Sequence, residues 1–315
     1  MVPKTTLDLD FVHCCICGDA PYHLVGKGED YEYRTSEDIF SAVQCDSCSL
    51  VYLNPRPAIT EFERIYPPNY HAFDFSPKKY GFVYKVRERL EANRTLKRCK
   101  ELGNDSRILD VGCGDGFHLN LLRKYGNKSW ALEGIDLDKR AVDAANKSGL
   151  KVHLGSVEEI KLTPSSYDLV LMIQTIEHVE KPLEVILSIF NLLKPGGKLV
   201  IVTDNTDSLD FKYYKNRYWG GFHFPRHWNL FNKKSMTKLA LKSGYQIEDI
   251  STIVSPVNWI YSIHNSLVGN KKPKWLSERF TLKSTFSLFI FTVADFVFQK
   301  FGKGALLQVT LRKPL

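Results

Sequence analysis

The sequence predicts an α/β protein with a doubly wound, mostly parallel sheet, preceded by a small cysteine-bearing segment. Three observations carry this prediction: two close cysteine pairs lie within the first 50 residues, strand-like and helix-like segments alternate from residue 107 onward, and a glycine-rich turn follows the first strand of that alternation. Strands that alternate with helices form a parallel sheet covered on both faces, and right-handed crossovers make it doubly wound. In such sheets the ligand lies at the carboxyl ends of the strands, where the strand order reverses.

The overall charge and the amino terminus bear on partners and compartment. The 315 residues include 43 Lys and Arg against 35 Asp and Glu, a formal net charge of +8. A positive surface favours phosphates or an anionic membrane without identifying either. The first residues, MVPKTTLDLDF, lack the apolar stretch and the small-residue cleavage site of a secretory signal, so we expect a cytoplasmic protein.

Residues 1–58 contain the ligands of a predicted zinc ribbon. Cys14 with Cys17 and Cys45 with Cys48 form two CxxC pairs separated by 27 residues. Each pair presents two thiolates from a tight turn, and the two pairs together complete a tetrahedral zinc site. Four thiolates leave no position for water, so we expect the Zn²⁺ to be structural. In a reducing compartment, disulfides explain the pairs less well.

Residues 59–103 are predicted to be a linker that ends in a docking helix. The aromatic, proline-bearing stretch 62–80 has the composition of a connector. From 82 to 102, apolar side chains recur at helical spacing with charges between them. This pattern predicts a helix that leads into a second domain, residues 104–315.

The hydrophobic pattern of the second domain predicts its elements one by one. Short apolar runs predict strands at 107–111, 131–136, 151–155, 167–173, 198–203, 245–254 and 305–313. Amphipathic runs predict helices at 117–125, 138–149, 182–197 and 233–244. The alternation is regular up to residue 203, and the two interruptions after it are insertions at 204–232 and 255–303.

The turn LDVGCGDG at 109–116 differs from a dinucleotide fingerprint. That fingerprint, GxGxxG, lets a pyrophosphate approach a helix N-terminus. Here Phe117 stands where the last glycine would fall, and Asp110 and Asp115 would oppose a pyrophosphate. Negative side chains suit a cation instead. S-adenosylmethionine carries a sulfonium and an ammonium, has no phosphate, and ends in a carboxylate that the turn amides can meet.

Residues 104–254 resemble the class I S-adenosylmethionine-dependent methyltransferases, with motifs in the family order: LDVGCGDG, GIDLD, HLGSVEE, YDLVLMIQTIEHVEKP and LLKPGGKLVIVT. The resemblance implies a Rossmann-like, seven-stranded sheet whose last strand is antiparallel. It also implies cofactor contacts by Asp110 near the amino group, the backbone of Gly112 and Gly114, Asp136 on the ribose hydroxyls, Ser156 and Val157 at the adenine, and Gln174 beside the methionyl portion. Two alternatives stay open: the glycines only permit a tight turn, or Asp136 only caps a helix.

Three histidines are candidates for acceptor chemistry. Methyl transfer is an in-line displacement at an activated carbon, so the protein has to align the nucleophile and, for an alcohol or phenol, deprotonate it. His178 follows the fourth strand, where the resemblance places the mouth of the pocket; helix capping or a structural hydrogen bond is the alternative. His223 and His227 lie in the insertion at 204–232, whose aromatic, Gly and Arg residues suit a lid or acceptor wall.

The second insertion, residues 255–303, combines a basic stretch with an apolar one. KKPKWLSERF at 271–280 is basic, and FSLFIFTVADFVF at 286–298 is almost continuously apolar. The apolar run is shorter than the about 20 residues needed to span a bilayer, and it contains Asp295. Two alternatives stay open: residues 271–300 lie on an anionic membrane surface, or the helix packs on the sheet or on a second subunit of a homodimer.

The cysteine pairs, the methyltransferase motifs and the HFPRHWNLF stretch together resemble methyltransferases of bacterial sugar and surface-polysaccharide pathways. The core alone is similar to quinone-pathway methylases. The resemblance implies methyl transfer to a small molecule, a sugar or glycan, or a lipid-linked acceptor, with oxygen as the favoured acceptor atom. A lipid-linked acceptor would place the protein at the inner face of the membrane.

Two other function classes explain the sequence less well. A zinc ribbon on a basic chain can bind RNA. However, residues 1–58 hold four Lys and Arg against nine Asp and Glu, and the fourth motif is QTIEHV, not the Asn-Pro-Pro-aromatic sequence of enzymes that methylate exocyclic base amines. A non-catalytic scaffold is disfavoured by the intact glycine turn and by Asp136. Nucleic acid is therefore not an expected partner.

Overall fold

The computed structural model describes residues 6–67, 70 and 77–315. The strands are β1 (Leu9–Asp10), β2 (Tyr22–Gly28), β3 (Phe40–Cys45), β4 (Val51–Leu53), β5 (Arg56–Pro57), β6 (Arg107–Val111), β7 (Ala131–Asp136), β8 (Val152–Leu154), β9 (Tyr167–Ile173), β10 (Leu193–Asp204), β11 (Asn229–Leu230), β12 (Gln246–Ile253) and β13 (Leu306–Arg312). The helices are α1 (Phe62–Ile65), α2 (Pro77–Arg98), α3 (Phe117–Tyr125), α4 (Lys139–Lys147), α5 (Pro182–Leu192), α6 (Leu209–Tyr214), α7 (Lys233–Lys242), α8 (Val257–Gly269), α9 (Lys274–Ser277) and α10 (Thr285–Gln299). Residues 68, 69 and 71–76 of the predicted connector lie outside the described residues.

The central sheet has seven strands in the order β12-β13-β10-β9-β6-β7-β8. Strand β13 is antiparallel to β10 and β12, and the remaining pairs are parallel. This confirms the predicted α/β fold with a doubly wound, mostly parallel, Rossmann-like sheet. The chain continues from β6 to β7 on one side, whereas β9 lies on the other side of β6. The carboxyl ends of β6 and β9 therefore border the crevice in which such folds bind their ligands.

Local sequence signals explain where these elements begin and end. Residues 169–172 of β9 are completely buried, as expected for a strand that is covered on both faces. The Asp138 side chain accepts hydrogen bonds from two backbone N–H groups of the first turn of α4. Helix α5 ends at Leu192, earlier than the predicted 182–197. Pro195 accounts for the difference, because it lacks an N–H and disfavours helical geometry in the residue before it.

The N-terminal segment, residues 1–58, packs against the insertion at 204–232, which is called the lid from here on. Strand β11 belongs to the lid and pairs antiparallel with β4, which gives a four-stranded sheet in the order β11-β4-β3-β2. Cys14 and Cys45 share a buried hydrophobic cluster with Val111 and Met172 of the central sheet. One hydrophobic core therefore extends from the cysteine pairs into the central sheet.

A fully buried ion pair links the N-terminal segment to the lid. Arg226 Nη2 donates to Asp30 Oδ2 at 2.8 Å, and neither side chain is exposed. The guanidinium also lies 4.5 Å from the centre of the Tyr33 ring, and its Nε donates to the carbonyl of Ile65 at 2.7 Å. Arg226 therefore connects three stretches of chain that are distant in sequence.

The second insertion consists of α8, α9 and α10, and α10 contains the predicted apolar run 286–298. The buried carboxylate of Asp295 accepts hydrogen bonds from the backbone N–H groups of Ser255 and Ala305, at 2.9 and 3.1 Å. These bonds fix α10 beside the end of β12 and the start of β13. Among the described residues, no helix has both the length and the hydropathy needed to cross a membrane.

Candidate functional site

The two predicted cysteine pairs meet at one point. The Sγ atoms of Cys14, Cys17, Cys45 and Cys48 all lie within 4.8 Å of one another, and those of Cys14 and Cys48 are 3.6 Å apart. Four sulfurs bound at about 2.3 Å to a tetrahedral zinc would be about 3.8 Å apart, so the residues fit this ion. Nζ of Lys238, on α7, lies 3.1 Å from Cys17 Sγ and brings a positive charge to the cluster.

The glycine turn between β6 and α3 lies at the switch point of the sheet. Gly112 and Gly114 have positive φ angles of 72° and 55°, which other residues adopt only rarely. A Cβ at Gly112 would collide with the Thr175 side chain at 2.3 Å. A Cβ at Gly114 would meet no atom of the described residues within 4 Å. Gly114 thus borders a space that a ligand can fill.

Asp136, at the end of β7, anchors this turn. Its Oδ2 accepts a hydrogen bond from the Gly114 N–H at 2.7 Å, and its Oδ1 accepts one from the Asp138 N–H at 2.8 Å. Helix α4 is capped by Asp138, so the alternative that Asp136 only caps a helix is wrong. Burial raises the pKa of Asp136. Each carboxylate oxygen keeps a further lone pair, which is what a ribose hydroxyl needs.

Asp110 is buried and Arg98 is half-buried, and both carry buried polar atoms without a partner among the described residues. Asp110 Oδ2 and both terminal nitrogens of Arg98 have no hydrogen-bond partner within the described parts of the chain. Burial, together with the negative charge of Asp136, raises the pKa of Asp110 to about 8. An amino-acid zwitterion offers an ammonium to Asp110 and a carboxylate to Arg98. Contact of the methionyl end of S-adenosylmethionine with Asp110 stays a prediction.

The other predicted cofactor residues lie along the same edge of the sheet. Ser156 and Val157 follow β8; Val157 is buried, and the Ser156 N–H donates to a Glu159 carboxylate oxygen at 3.3 Å. Gln174 follows β9, has a φ of 52°, and donates from Nε2 to Glu177 Oε1 at 2.5 Å. A positive φ is uncommon in a non-glycine residue and is concentrated at functional sites. Contacts of these residues with a cofactor stay a prediction.

A largely buried cluster of Glu177, His178 and His227 lies beyond β9, with His178 half-buried. One carboxylate oxygen and one ring nitrogen of each histidine lie within 4.8 Å of one another, and the ring centres of His178 and His227 are 4.6 Å apart. His178 Nδ1 lies 3.1 Å from the Arg226 carbonyl and 2.8 Å from the Tyr66 hydroxyl. Because a carbonyl only accepts, Nδ1 carries the proton, and Nε2 keeps the lone pair of a base.

Electrostatics make the two imidazoles different. Burial and the positive charges of His227 and His223 hold the pKa of His178 well below its ordinary value, so His178 is neutral. Burial opposes a charged His227, but the hydrogen bond to Asp204 and the negative charges of Asp204 and Glu177 raise its pKa. Burial also raises the pKa of Glu177 to about 7. The cluster therefore contains the neutral base His178 next to His227, whose pKa is higher because it is paired with Asp204.

The same three side chains suggest a second chemical use, because a carboxylate and two imidazoles can also bind a divalent metal. Both carboxylate oxygens of Glu177, however, already accept hydrogen bonds, from Gln174 at 2.5 Å and from Thr203 at 2.8 Å. The nitrogen Nδ1 of His178 is also engaged, by Arg226 and Tyr66. This arrangement favours proton transfer over metal binding.

Residues of the lid and of the segment before the central sheet pack against this cluster. His223 Nδ1 lies 2.7 Å from Glu32 Oε1, and its ring centre is 4.9 Å from that of His227. The Tyr70 ring lies 5.8 Å from the His223 ring. The structure therefore brings the three predicted acceptor-side histidines, including His178, into one cluster; their catalytic roles stay a prediction.

Sequence reasoning missed five residues of the site, and for different reasons. Glu177 is adjacent to His178 in the fourth motif, and Asp204 ends β10 at the same edge of the sheet, so position alone could have identified both. Glu32, Tyr66 and Arg98 lie in segments before the central sheet and show no local pattern. Only the tertiary fold brings these three to the site.

Fold and site together define a Rossmann-like methyltransferase domain. The sequence profile described as "Methyltransferase domain" matches residues 82–250, which is more than half of the chain. The chain belongs to this methyltransferase-domain family.

Similar proteins of known name agree with this class. The chain is 33% identical to the ubiquinone biosynthesis O-methyltransferase of Xanthomonas euvesicatoria pv. vesicatoria over 161 residues, 46% of this chain and 65% of that protein. It is 38% identical to the enzyme of that name from Nitrosococcus oceani over 106 residues, 31% of this chain and 44% of that protein. The chain thus spans less than two thirds of the length of either relative. The phosphoethanolamine N-methyltransferase 2 of Haemonchus contortus, solved with S-adenosyl-L-methionine, shares the fold at a TM-score of 0.53 and 16% identity, covering 95% of this chain and 70% of that one.

Replacing one cysteine of the cluster should remove the zinc. We expect about one zinc per chain in the purified protein and almost none in Cys45→Ser, because three thiolates hold the ion far less tightly. Elemental analysis of dialysed protein measures this. Cys15→Ser is the matched control, since Cys15 adjoins the first pair but is not part of the four-sulfur cluster. A full equivalent of zinc in Cys45→Ser would refute the assignment.

Cofactor affinity should rise with pH through the titration of Asp110. A pKa of about 8 keeps this carboxyl largely protonated in the free protein at neutral pH, whereas an ammonium partner favours the carboxylate. Binding then releases a proton below this pKa. The dissociation constant for S-adenosylmethionine should therefore fall by up to about tenfold per pH unit as the pH rises from about 6.5 toward 8.

Calorimetry on wild type and Asp110→Asn tests this dependence. The ligand's own ammonium titrates in both experiments, so the difference between the two pH profiles isolates Asp110. We expect weaker binding and a flatter profile in Asp110→Asn. Asp143→Asn, which removes an exposed carboxylate on α4, should behave like wild type. Parallel profiles in wild type and Asp110→Asn would show that Asp110 does not meet the ammonium.

Proposed function

We propose that this chain is an S-adenosylmethionine-dependent O-methyltransferase acting on a hydroxyl of a small molecule, a sugar or glycan, or a lipid-linked acceptor. The His178 cluster carries the proposal, because it provides a neutral base at the edge of the sheet that also carries the candidate cofactor residues. Membership of the methyltransferase-domain family supports methyl transfer, and similarity to ubiquinone O-methyltransferases supports oxygen as the acceptor atom.

Thr175 joins the glycine turn to the base. Its side chain packs so closely on Gly112 that a Cβ there would collide with it, and it directly precedes the short helix Ile176–His178. The Tyr66 hydroxyl lies 2.8 Å from His178 Nδ1, and burial, together with the negative charges of Glu177 and Asp136, raises its pKa. The Tyr66 hydroxyl therefore stays protonated and can hold an acceptor oxygen by a hydrogen bond.

In the proposed reaction, His178 would remove the proton of the acceptor hydroxyl. The cofactor, when bound, supplies a methyl carbon activated by its sulfonium. With a cofactor bound, His178 Nε2 would take the proton of the acceptor hydroxyl as its oxygen receives the methyl group, and the cofactor would keep the sulfur as a neutral thioether. The proton then passes from His178 to solvent.

The composition of the wall supports a hydroxylated ring as acceptor. Tyr66, Tyr70 and His223 bring aromatic rings together there, and the Glu32 carboxylate is paired with His223 next to them. Aromatic faces stack on rings, whereas carboxylates and hydroxyls bond to ring hydroxyls. Sugars and phenols have both features. RNA lacks comparable support, since the N-terminal segment is acidic overall.

A labelled methyl donor identifies the acceptor. The protein is incubated with it and with three host fractions: soluble nucleotide sugars, membrane lipids and total RNA. Label in the sugar or lipid fraction, in an alkali-stable ether, is the expected result. Label confined to RNA, or to an amine, would overturn the proposal, and absence of transfer to all three fractions would favour a non-catalytic scaffold.

The same assay tests the base. His178→Asn keeps a donor near the Arg226 carbonyl but removes the basic Nε2, so kcat should fall by about 10²–10⁴-fold while the dissociation constant for the cofactor is unchanged. His23→Asn is the matched control, because His23 is exposed on the N-terminal segment and pairs with Asp46. A kcat for His178→Asn within about threefold of wild type would mean that His178 is structural.

A further inference from the structure

One face of α10 is apolar and exposed. Its exposed side chains are Phe286 (73%), Phe289 (68%), Ile290 (42%), Val293 (49%), Phe296 (51%) and Val297 (47%). Their spacing of three and four residues places them on one side of the helix. Scattered exposed apolar residues are ordinary, whereas a continuous stripe of six marks an interaction surface.

The orientation of α10 is fixed by its opposite face. Asp295 is completely buried and bonded to the backbone of Ser255 and Ala305, so this side of the helix points to the sheet. Phe291 and Phe298 are on the same side and pack on Trp259, with ring centres 6.0 and 5.8 Å apart. The charged Asp295 thus faces the protein interior, and large apolar residues such as Phe286 and Phe289 face solvent. Rotation of α10 could not hide the stripe without leaving the Asp295 carboxylate unpartnered.

Cationic side chains flank α10 on both sides in the sequence. Residues 271–303 contain seven Lys and Arg, all exposed, against Glu278 and the buried Asp295. The ammonium of Lys300 lies 5.0 Å from the centre of the exposed Phe296 ring. The Arg279 guanidinium lies 5.1 Å from the ring centre of Trp275, which is 60% exposed. At both places a cationic side chain lies next to an exposed aromatic ring.

We propose that this surface, formed by α10 and the basic residues at 271–283 and 300–303, binds an anionic lipid membrane. Apolar side chains would enter the interface between head groups and acyl chains, and the cations would meet lipid phosphates. Helix α10 has 15 residues, about 22 Å, so it lies in the plane of the surface and does not cross it.

A second copy of the chain is the competing occupant of this face. In a twofold dimer the same surface patch meets itself, so the seven cations of one copy would face those of the other. Repulsion between like charges opposes that contact, whereas an anionic membrane neutralises them. Charge thus favours lipid over self-association.

Vesicle flotation tests the proposal without methyl donor or acceptor. The full chain is mixed with vesicles of phosphatidylcholine alone or of phosphatidylcholine with one third phosphatidylglycerol. Wild type should float with the anionic vesicles, less so at high salt, and much less with phosphatidylcholine alone. Phe289→Ser/Val293→Ser should weaken binding to anionic vesicles by about tenfold or more, and Lys300→Gln/Lys303→Gln by roughly tenfold.

Matched controls separate this face from general surface effects. Leu241→Ser removes an exposed apolar side chain on α7, and Lys147→Gln/Lys161→Gln removes two exposed cations elsewhere; both should bind vesicles like wild type. Absence of wild-type binding, or equal loss in variants and controls, would overturn the proposal. So would a wild-type dimer that Phe289→Ser/Val293→Ser converts to monomer without any vesicle binding, since the face would then join two copies.

Membrane binding is independent of the acceptor chemistry, so the two proposals fail separately. Phe289→Ser/Val293→Ser should keep the cofactor affinity of wild type, which also shows that the variant is folded. Vesicle binding by wild type without methyl transfer would contradict only the proposed reaction. Methyl transfer without vesicle binding would contradict only the membrane surface.

Discussion

The buried pair of Asp30 and Arg226 is the interaction on which the site depends. Burial opposes both charges, yet Arg226 lowers the pKa of Asp30 to about 2, so the pair stays ionised. Losing one partner of such a pair costs about 3–5 kcal/mol, because the other charge is left buried and unpaired. The carbonyl of Arg226 also bonds to His178, and the next residue is His227. One ion pair thus fixes the N-terminal segment, the lid and the candidate base together.

The parts of this structure that follow local rules could be predicted from the sequence. Strands buried on both faces appear as short apolar runs, and the positive φ angles of the turn require glycines such as Gly112. The spacing of the cysteines also predicted that the two pairs lie together. The pairing of β11 with β4 and the approach of Glu32 to His223 could not be predicted, because both join residues more than 170 positions apart and neither leaves a local pattern. The acceptor side of the site is therefore the less predictable half.

The site keeps polar groups that the fold alone does not satisfy. Most buried polar atoms in proteins have hydrogen-bond partners, but Asp110 Oδ2 and the terminal nitrogens of Arg98 have none among the described residues. Each such group costs stability, by about 1–3 kcal/mol. The raised pKa of Asp110 lessens this cost, since the protonated carboxyl is easier to bury than the carboxylate. A zwitterionic ligand would satisfy both groups at once, so binding energy and stability are coupled here.

Helix α8 connects the two surfaces for which we propose functions. Asn258, near its start, donates to Asp204 at 2.7 Å, and Asp204 pairs with His227. One turn later, Ser262 accepts a hydrogen bond from the Gly220 N–H of the lid at 2.8 Å. Trp259, between them, packs on α10. The proposed membrane surface and the acceptor wall therefore contact the same helix. If α10 docks on a membrane as proposed, α8 would hold the lid side of the site near that surface, where a lipid-linked acceptor would lie.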